Sequence, residues 1–139
     1  MMATMIRPEL SEKNPYWIER HRYYELKHFC LQYPLWKKAY AVLDGTNSRP
    51  VEQVACRTNQ NPDPTAKYAI AKAYYSDRME LVERLALAAA TDLSVYLLEG
   101  VTQGWTYDVL KAQLNIPCSR DTYYDRYRKF FWLLHKERQ

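Results

Sequence analysis

Apolar side chains recur at three- and four-residue steps through most of the chain, the spacing of an amphipathic helix. No stretch alternates apolar and polar residues well enough to indicate a strand. Gly occurs only 3 times, and long stretches hold neither Gly nor Pro, so helices can run unbroken. The pattern predicts an all-α fold with N-terminal aromatic helices, one long central helix and a C-terminal helix-turn-helix.

The N-terminal segment, residues 1–44, is predicted to contain two helices. Asn14-Pro15 has the form of an N-cap followed by Pro at the first helical position, and the helix it starts should run to about Gln32. Pro34 cannot continue that helix, so a second short helix begins there and stops at Asp44-Gly45. The first helix should bury a face made of Trp17, Tyr24, Leu26, Phe29 and Cys30.

A polar connector, residues 45–64, follows and forms the clearest internal boundary. Residues 65–104 are then predicted to hold a long helix, from Ala66 to about Ala90, and a short helix after it. Gly100 and Gly104 are expected to bracket a loop. The predicted apolar stripe of the long helix comprises Ile70, Tyr74, Leu81, Leu85 and Ala88.

A helix of this length would span roughly 38 Å at ~1.5 Å per residue, which a small monomer can hardly cover. We therefore expect a partner helix, either Pro15–Gln32 folded back or the same helix of a second subunit. The second choice predicts a homo-oligomer, in the simplest case a dimer, formed through the long helix.

The C-terminal region, residues 105–139, reads as a helix, a turn and a longer basic, aromatic helix. Thr106 is a suitable N-cap with Asp108 in the first turn, and Ser119 is a suitable N-cap for the second helix. Ile116 should fill the turn between them. Two further sets of apolar side chains should face inward, Leu110 and Leu114 on the first helix and Tyr123, Tyr127, Phe130 and Leu134 on the second.

This order of elements is typical of a helix-turn-helix, whose second helix lies in the major groove of double-stranded DNA. Residues 105–139 hold seven basic and four acidic side chains, a net charge of +3, whereas residues 65–104 carry a net charge of −1. Arg120 can bind guanine and Asp121 can accept from cytosine N4. The predicted DNA-binding residues are Thr106, Ser119, Arg120, Asp121, Tyr124, Asp125, Arg126, Arg128 and Lys129.

Other chemistry has weaker support in the sequence. His21, Glu25 and His28 share one helical face and make a metal site conceivable, but a solvated polar face is the preferred interpretation because no second ligand pair completes the site. Cys30, Cys56 and Cys118 are widely spaced, which favours reduced thiols. No phosphate loop, nucleophile motif or membrane span is recognisable, so we expect a cytoplasmic protein that is not an enzyme and needs no cofactor.

Two pieces of the chain, TYDVLKAQLNI and SRDTYYDRYRK, together with the NPDPTAKYAIAKAYYSDRMELVERL stretch, resemble the RinA/ArpU-like phage transcriptional regulators. The resemblance covers roughly residues 62–135, and the C-terminal part is similar to the helix-turn-helix of sigma-factor region 4. It implies control of late genes in a phage or prophage, by promoter binding or by contact with RNA polymerase, and it implies that the cell is a bacterial host.

Two alternatives remain open. A small-terminase-like recogniser of DNA for packaging would also join a helix-turn-helix to oligomerising helices. A protein-interaction module, such as an inhibitor without DNA binding, would use the Tyr- and Trp-rich N-terminal half as interface anchors.

Overall fold

In this computed structural model, which describes residues 14–45 and 64–138, all regular structure is helical. The helices are α1 (Arg20–Cys30), α2 (Tyr33–Leu43), α3 (Pro64–Ala89), α4 (Ser94–Gln103), α5 (Tyr107–Leu114) and α6 (Arg120–Glu137). The predicted all-α fold with one long central helix is confirmed over these ranges, whereas most of the predicted connector lies outside them. None of the described helices is both long enough and apolar enough to cross a membrane.

The chain divides into two compact units, one formed by Met1–Gln32 with Leu81–Gln139 and the other by Tyr33–Glu80. The sequence pattern predicts four consecutive segments, whereas the contacts join the N-terminal helix α1 to the C-terminal helices α4 and α6. The hydroxyl groups of Tyr23 and Tyr127, 104 positions apart, lie 2.7 Å from each other and share a hydrogen bond. The first unit is therefore built from both ends of the chain.

Helix α1 starts later than the sequence predicts, at Arg20. The prediction that Asn14 caps it is wrong, because the Asn14 side chain instead accepts a hydrogen bond from the backbone N–H of Tyr16 at 2.8 Å and closes a local turn. Glu19 is the N-cap, and its carboxylate accepts from the backbone N–H of His21 at 2.9 Å. That hydrogen bond favours the ionised carboxylate and lowers the pKa of Glu19.

The buried face of α1 matches the predicted one at three positions and differs at Trp17, which is half-buried and precedes the helix, and at Tyr24. Leu26, Phe29 and Cys30 are buried as predicted, but Tyr23 is buried in place of Tyr24, which is 45% exposed. The reason is the position of α6: the Tyr23 ring packs edge-on against a Phe of that helix with ring centres 5.3 Å apart. Burial also raises the pKa of the Cys30 thiol.

Helix α2 begins and ends close to its predicted bounds. Gly45, with a φ of +85°, follows its last turn in the left-handed conformation that Gly adopts without strain. Lys72 of α3 donates to Asp44 at 2.9 Å, and its ammonium lies 5.6 Å from the centre of the Tyr40 ring. These contacts connect α2 to the first turns of α3 within the second unit.

Helix α3 has the predicted length, and within the single chain its predicted apolar stripe is buried only near its C-terminal end. Ile70 is 70% exposed and Tyr74 is 47% exposed, while Leu85 is buried. Full burial is confined to the last two turns of the helix, at Val82, Leu85, Ala86 and Ala89. Only residues from Leu81 onward belong to the unit that contains α1 and α4–α6, so only those turns share its core.

Candidate nucleic-acid interface

Helix α5 is fixed at its start as the sequence predicts. The Thr106 hydroxyl accepts from the backbone N–H of Val109 at 3.3 Å, so it is a true N-cap, and Asp108 lies in the first turn. Leu110 is fully buried, but the prediction for Leu114 is wrong, since its side chain is 39% exposed. The helix is only eight residues long and ends just after this residue, so Leu114 lies at its rim instead of over the core.

Residues 115–119 form the turn between α5 and α6. Asn115 adopts a left-handed conformation with a φ of +54° and donates its backbone N–H to the carbonyl of Lys111, which ends α5. Ile116 is fully buried and fills the turn as predicted. The Lys111 ammonium donates to the Ile116 carbonyl at 3.3 Å, so a polar side chain also holds the turn from outside.

Helix α6 starts at the predicted cap and buries the predicted face. The Ser119 hydroxyl accepts from the backbone N–H of Thr122 at 3.2 Å, and Asp121 lies in the first turn near the positive end of the helix dipole. The buried face comprises Tyr123, Tyr127, Phe130 and Leu134 as predicted, together with Phe131. This row of rings packs against α1 and the rest of the first unit, which leaves the opposite face of α6 turned outward.

A glycine sets the approach of α4 to α6. Gly100 is predicted to open a loop, but α4 continues through it to Gln103, and Gly104 ends the helix with a φ of +75°. The prediction is wrong because Gly100 is used for its small size: a Cβ atom there would collide with the Tyr123 hydroxyl and lie 3.3 Å from Leu110 Cδ1. The missing side chain lets both following helices pack closely on α4.

Helices α4, α5 and α6 each contact the other two, and α1 packs against α4 and α6. The last of these three helices is the longest, at 18 residues. The arrangement places the N-terminal turns of α6 on the surface, next to the start of α5.

Arg120 and Asp108 form a pair that the sequence analysis missed. The Arg120 guanidinium donates to the Asp108 carboxylate at 2.7 Å and lies 5.5 Å from the centre of the Tyr107 ring. Both charged side chains are exposed. The pair joins α5 to α6 across 12 positions of sequence, which no helical spacing rule connects. It aims the arginine outward, beside the exposed Asp121.

Three of the predicted DNA-binding residues have structural roles in the free protein. Thr106 and Ser119 cap α5 and α6, and the Tyr124 hydroxyl accepts from the backbone N–H of Tyr107 at 3.0 Å. That hydrogen bond satisfies an amide that helix geometry leaves without a partner at the start of α5. The Thr106 and Tyr124 hydroxyls keep their own protons and can still donate to another group, whereas the Ser119 hydroxyl already donates to the Thr122 hydroxyl at 3.1 Å.

Further along α6, the predicted residues differ in their exposure and in their hydrogen-bond partners. Arg126 donates to Asp125 at 2.8 Å, and both side chains are partly exposed. Arg128 is half-buried, and its Nε atom is buried without a hydrogen-bond partner. A buried guanidinium nitrogen without an acceptor is unusual in a folded protein.

A groove of about 600 Å³ runs between the end of α3 and the start of α6. Its α6 wall carries Thr122, Arg126 and Lys129, and its other wall is residues 88–93. Sequence reasoning named Arg126 and Lys129 but not Thr122, although spacings of four and seven residues place all three on one helical face. The groove thus joins two predicted cations to a hydroxyl group.

The histidines of α1, which make a metal site conceivable from sequence, lie apart from this interface. His21, Glu25 and His28 are exposed, and Glu25 pairs with Arg22 at 3.0 Å. Within residues 14–45 and 64–138, no group of three or more His, Cys, Asp or Glu side chains is arranged to hold a metal ion. Of the cysteines in those ranges, both are free thiols, one buried in α1 and one half-buried in the turn before α6.

Eight of the nine predicted DNA-binding residues lie between Ser119 and Lys129. The ninth, Thr106, lies at the start of α5. Comparison of the chain with family models, with curated proteins and with solved structures gave no match.

Proposed function

We propose that the chain is a DNA-binding transcriptional regulator that reads double-stranded DNA with α5 and α6 as a helix-turn-helix. The observation that carries this proposal is the division of α6 into two faces. One face is a row of buried rings, and the other presents the exposed Arg120 and Asp121 in its first turn, with Tyr124 half-buried one turn later. In a helix-turn-helix, the residues in these turns meet base edges in the major groove.

Base reading falls to the start of α6. Arg120 donates two parallel hydrogen bonds to guanine O6 and N7, and Asp121 accepts from the N4 amino group of cytosine. In the free protein Arg120 donates to Asp108 through one terminal nitrogen. Its guanidinium has five donors, so the other terminal nitrogen and Nε are left for the base edge.

Phosphate contacts come from the flanks of the same stretch. Lys129 and Arg126 lie along the groove beside α6, and Arg128 carries the buried nitrogen without an acceptor. Phosphate contacts give affinity without sequence preference, and their strength falls as salt displaces them. Because Arg126 is paired with Asp125, Lys129 and Arg128 should contribute more to the affinity for DNA phosphates.

The resemblance to the RinA/ArpU-like regulators supports a more specific proposal: a phage or prophage protein that controls late genes, with RNA polymerase as a possible partner at the promoter. The exposed apolar side chains of α3 support a homodimer. Ile70 and Tyr74 would be covered by the same turns of a second copy, whose buried apolar area would stabilise the pair.

A gel-shift titration of the full chain against the DNA flanking its own gene, repeated over a salt series, tests the proposal. We expect binding that weakens steeply with salt. Lys129→Ala should weaken binding to every duplex and reduce the slope of the salt dependence by about 1. Lys67→Ala, an exposed lysine of α3, is the matched control and should bind like the wild type. Absence of binding to any duplex at low salt would refute the proposal.

The mass of the protein in solution tests the homodimer separately. Sedimentation should give a dimer that Ile70→Asp converts to a monomer, because a charge cannot be buried unpaired at the interface. A ring of many subunits would instead favour the packaging recogniser over the regulator.

A further inference from the structure

A second cavity lies in the first unit, at the junction of α1, the end of α4, the start of α5 and α6. Its volume is about 170 Å³. Five of its eleven lining residues are aromatic: Tyr23 and Tyr24 from α1, Trp105 from the link before α5, and Tyr124 and Tyr127 from α6. Lys27 also lines it, and the ammonium lies 5.8 Å from the centre of the Tyr24 ring.

The polar side chains of the cavity have hydrogen-bond protons to donate. The Thr106 hydroxyl and the Tyr124 hydroxyl each accept from a backbone N–H of α5, so each has its proton left for a second partner. Lys27 adds an ammonium with three donors. The site is therefore rich in donors and carries one positive charge.

Acceptors are scarce on the same walls. None of the residues that line the cavity is Asp or Glu. The carbonyl of Gly100 lies at the cavity but already accepts from the backbone N–H groups of Gly104 and Trp105, at 3.0 and 3.1 Å. A ligand that supplies acceptors and a negative charge would complement these donors.

We propose that this cavity binds a small aromatic carboxylate of about the size of benzoate. A ring is favoured because an apolar cavity of ~150 Å³ accommodates benzene, and because aromatic walls stack on or meet edges with a planar ligand. A carboxylate is favoured by Lys27 and by the hydroxyl protons of Thr106 and Tyr124. A quaternary ammonium ligand, which aromatic cages also bind, is disfavoured by the lysine charge.

Binding at this cavity acts on the same elements that hold α5. Thr106 is the N-cap of that helix, and Tyr124 holds its first amide from α6. A carboxylate that accepts from both hydroxyls would fix α5 and α6 more firmly in their present arrangement. The proposal concerns ligand binding alone and holds whether or not the chain binds DNA.

Isothermal titration of the full chain with sodium benzoate tests the proposal, with Lys27→Met and Lys38→Met compared in parallel. Lys38 is an exposed lysine of α2 that does not line the cavity. We expect saturable one-to-one binding to the wild type and to Lys38→Met. Lys27→Met should weaken it roughly tenfold or more, the effect of losing one hydrogen bond to a charged group.

Two further titrations separate the ring from the charge. Benzyl alcohol keeps the ring without the carboxylate, and inorganic phosphate keeps a negative charge without the ring. Both should bind more weakly than benzoate. Nuclear Overhauser contacts should join the benzoate ring protons to the rings of Tyr24 and Tyr124. Absence of saturable binding, equal binding to Lys27→Met, or contacts to other rings would overturn the proposal.

Discussion

Helix α6 and the first part of α3 both carry apolar side chains at helical spacing, yet they differ in what those side chains meet. On α6 the row from Tyr123 to Leu134 is fully buried or nearly so. On α3 no residue between 65 and 80 is buried, although Ile70 and Tyr74 follow the same periodicity. Periodicity identifies the face that gains from burial, whereas burial itself requires a neighbouring element.

The two helices suit different proposed functions. Because α1 and α4 cover the inner face of α6, its outward residues are held in fixed positions, as a reader of base edges requires. Because the first part of α3 exposes its apolar side chains, we place the contact of the proposed homodimer on that segment. The predictions below test this contrast, beginning with the largest expected effect.

Removing a ring from the buried face of α6 should unfold the first unit far more readily than a comparable change on α3. Phe130 is fully buried, so Phe130→Ala should lower the free energy of unfolding by about 3–5 kcal/mol. Ile70→Ala, measured at protein concentrations too low for dimers, should change it by less than about 0.5 kcal/mol. Urea unfolding of both variants measures the difference. Equal losses would mean that the two helices are buried alike.

The close approach of α4 to α6 can be tested at one glycine. Gly100→Ala should destabilise the protein by about 1–3 kcal/mol, because the added Cβ meets the Tyr123 hydroxyl. That hydroxyl is buried without a hydrogen-bond partner, so Tyr123→Phe alone should be neutral or stabilising.

The double variant Gly100→Ala with Tyr123→Phe should recover part of the loss, since the colliding atom is gone. Thermal melting of the three variants provides the readout. If the loss of stability in the double variant exceeds the sum of the losses in the two single variants, the collision is not the cause.

The ion pair between Arg120 and Asp108 should matter little for folding. Both side chains are exposed, so a double-mutant cycle with Arg120→Ala and Asp108→Ala should give a coupling energy below about 1 kcal/mol, and less in high salt. A coupling well above that value would show that the pair holds α5 to α6 and that Arg120 is not free to turn to DNA.

A smaller effect should appear with pH at the contact between α1 and α6. Arg22 Nε donates to His135 Nδ1 at 3.0 Å, which requires an unprotonated nitrogen. Burial, and next the charge of Arg22, lowers the pKa of His135 below its ordinary value of 6.5. The unfolded chain therefore binds the proton more readily, and this contribution to stability is complete above pH 6.5 and is lost as the pH falls below it.

Unfolding at pH 7.5 and 5.5 should consequently show a smaller acid loss for His135→Gln than for the wild type. His21→Gln, on the exposed side of α1, should behave like the wild type. The interpretation fails if all three proteins lose the same stability between the two pH values.

Sequence alone could predict what short-range chemistry decides. The caps at Thr106 and Ser119 and the buried Ile116 depend on neighbours a few residues away, and all three were predictable. The choice of Tyr23 over Tyr24 depends on α6, more than 100 positions later, which no local pattern contains. The sequence predicts a loop at Gly100 for the same reason, because the atom that occupies the space beside it belongs to Tyr123.

The candidate interface follows the same rule. Eight of its nine residues could be chosen from sequence because they lie on α6 or at its N-cap, whereas the Arg120–Asp108 pair and the groove beside Lys129 depend on how α3, α5 and α6 meet. Periodicity also cannot say which of two apolar faces finds a neighbour within one chain, and Ile70 and Tyr74 show that limit.

Selection of bound sites from a pool of randomised duplexes, carried out with the wild type and with Arg120→Ala, tests the central claim most directly. The wild type should select a defined sequence with at least one guanine that Arg120→Ala no longer requires, at a cost of about 1–3 kcal/mol in binding that site. Selection of no defined sequence by the wild type, or of the same sequence by both proteins, would contradict the assignment of the outward face of α6 as the reader of DNA.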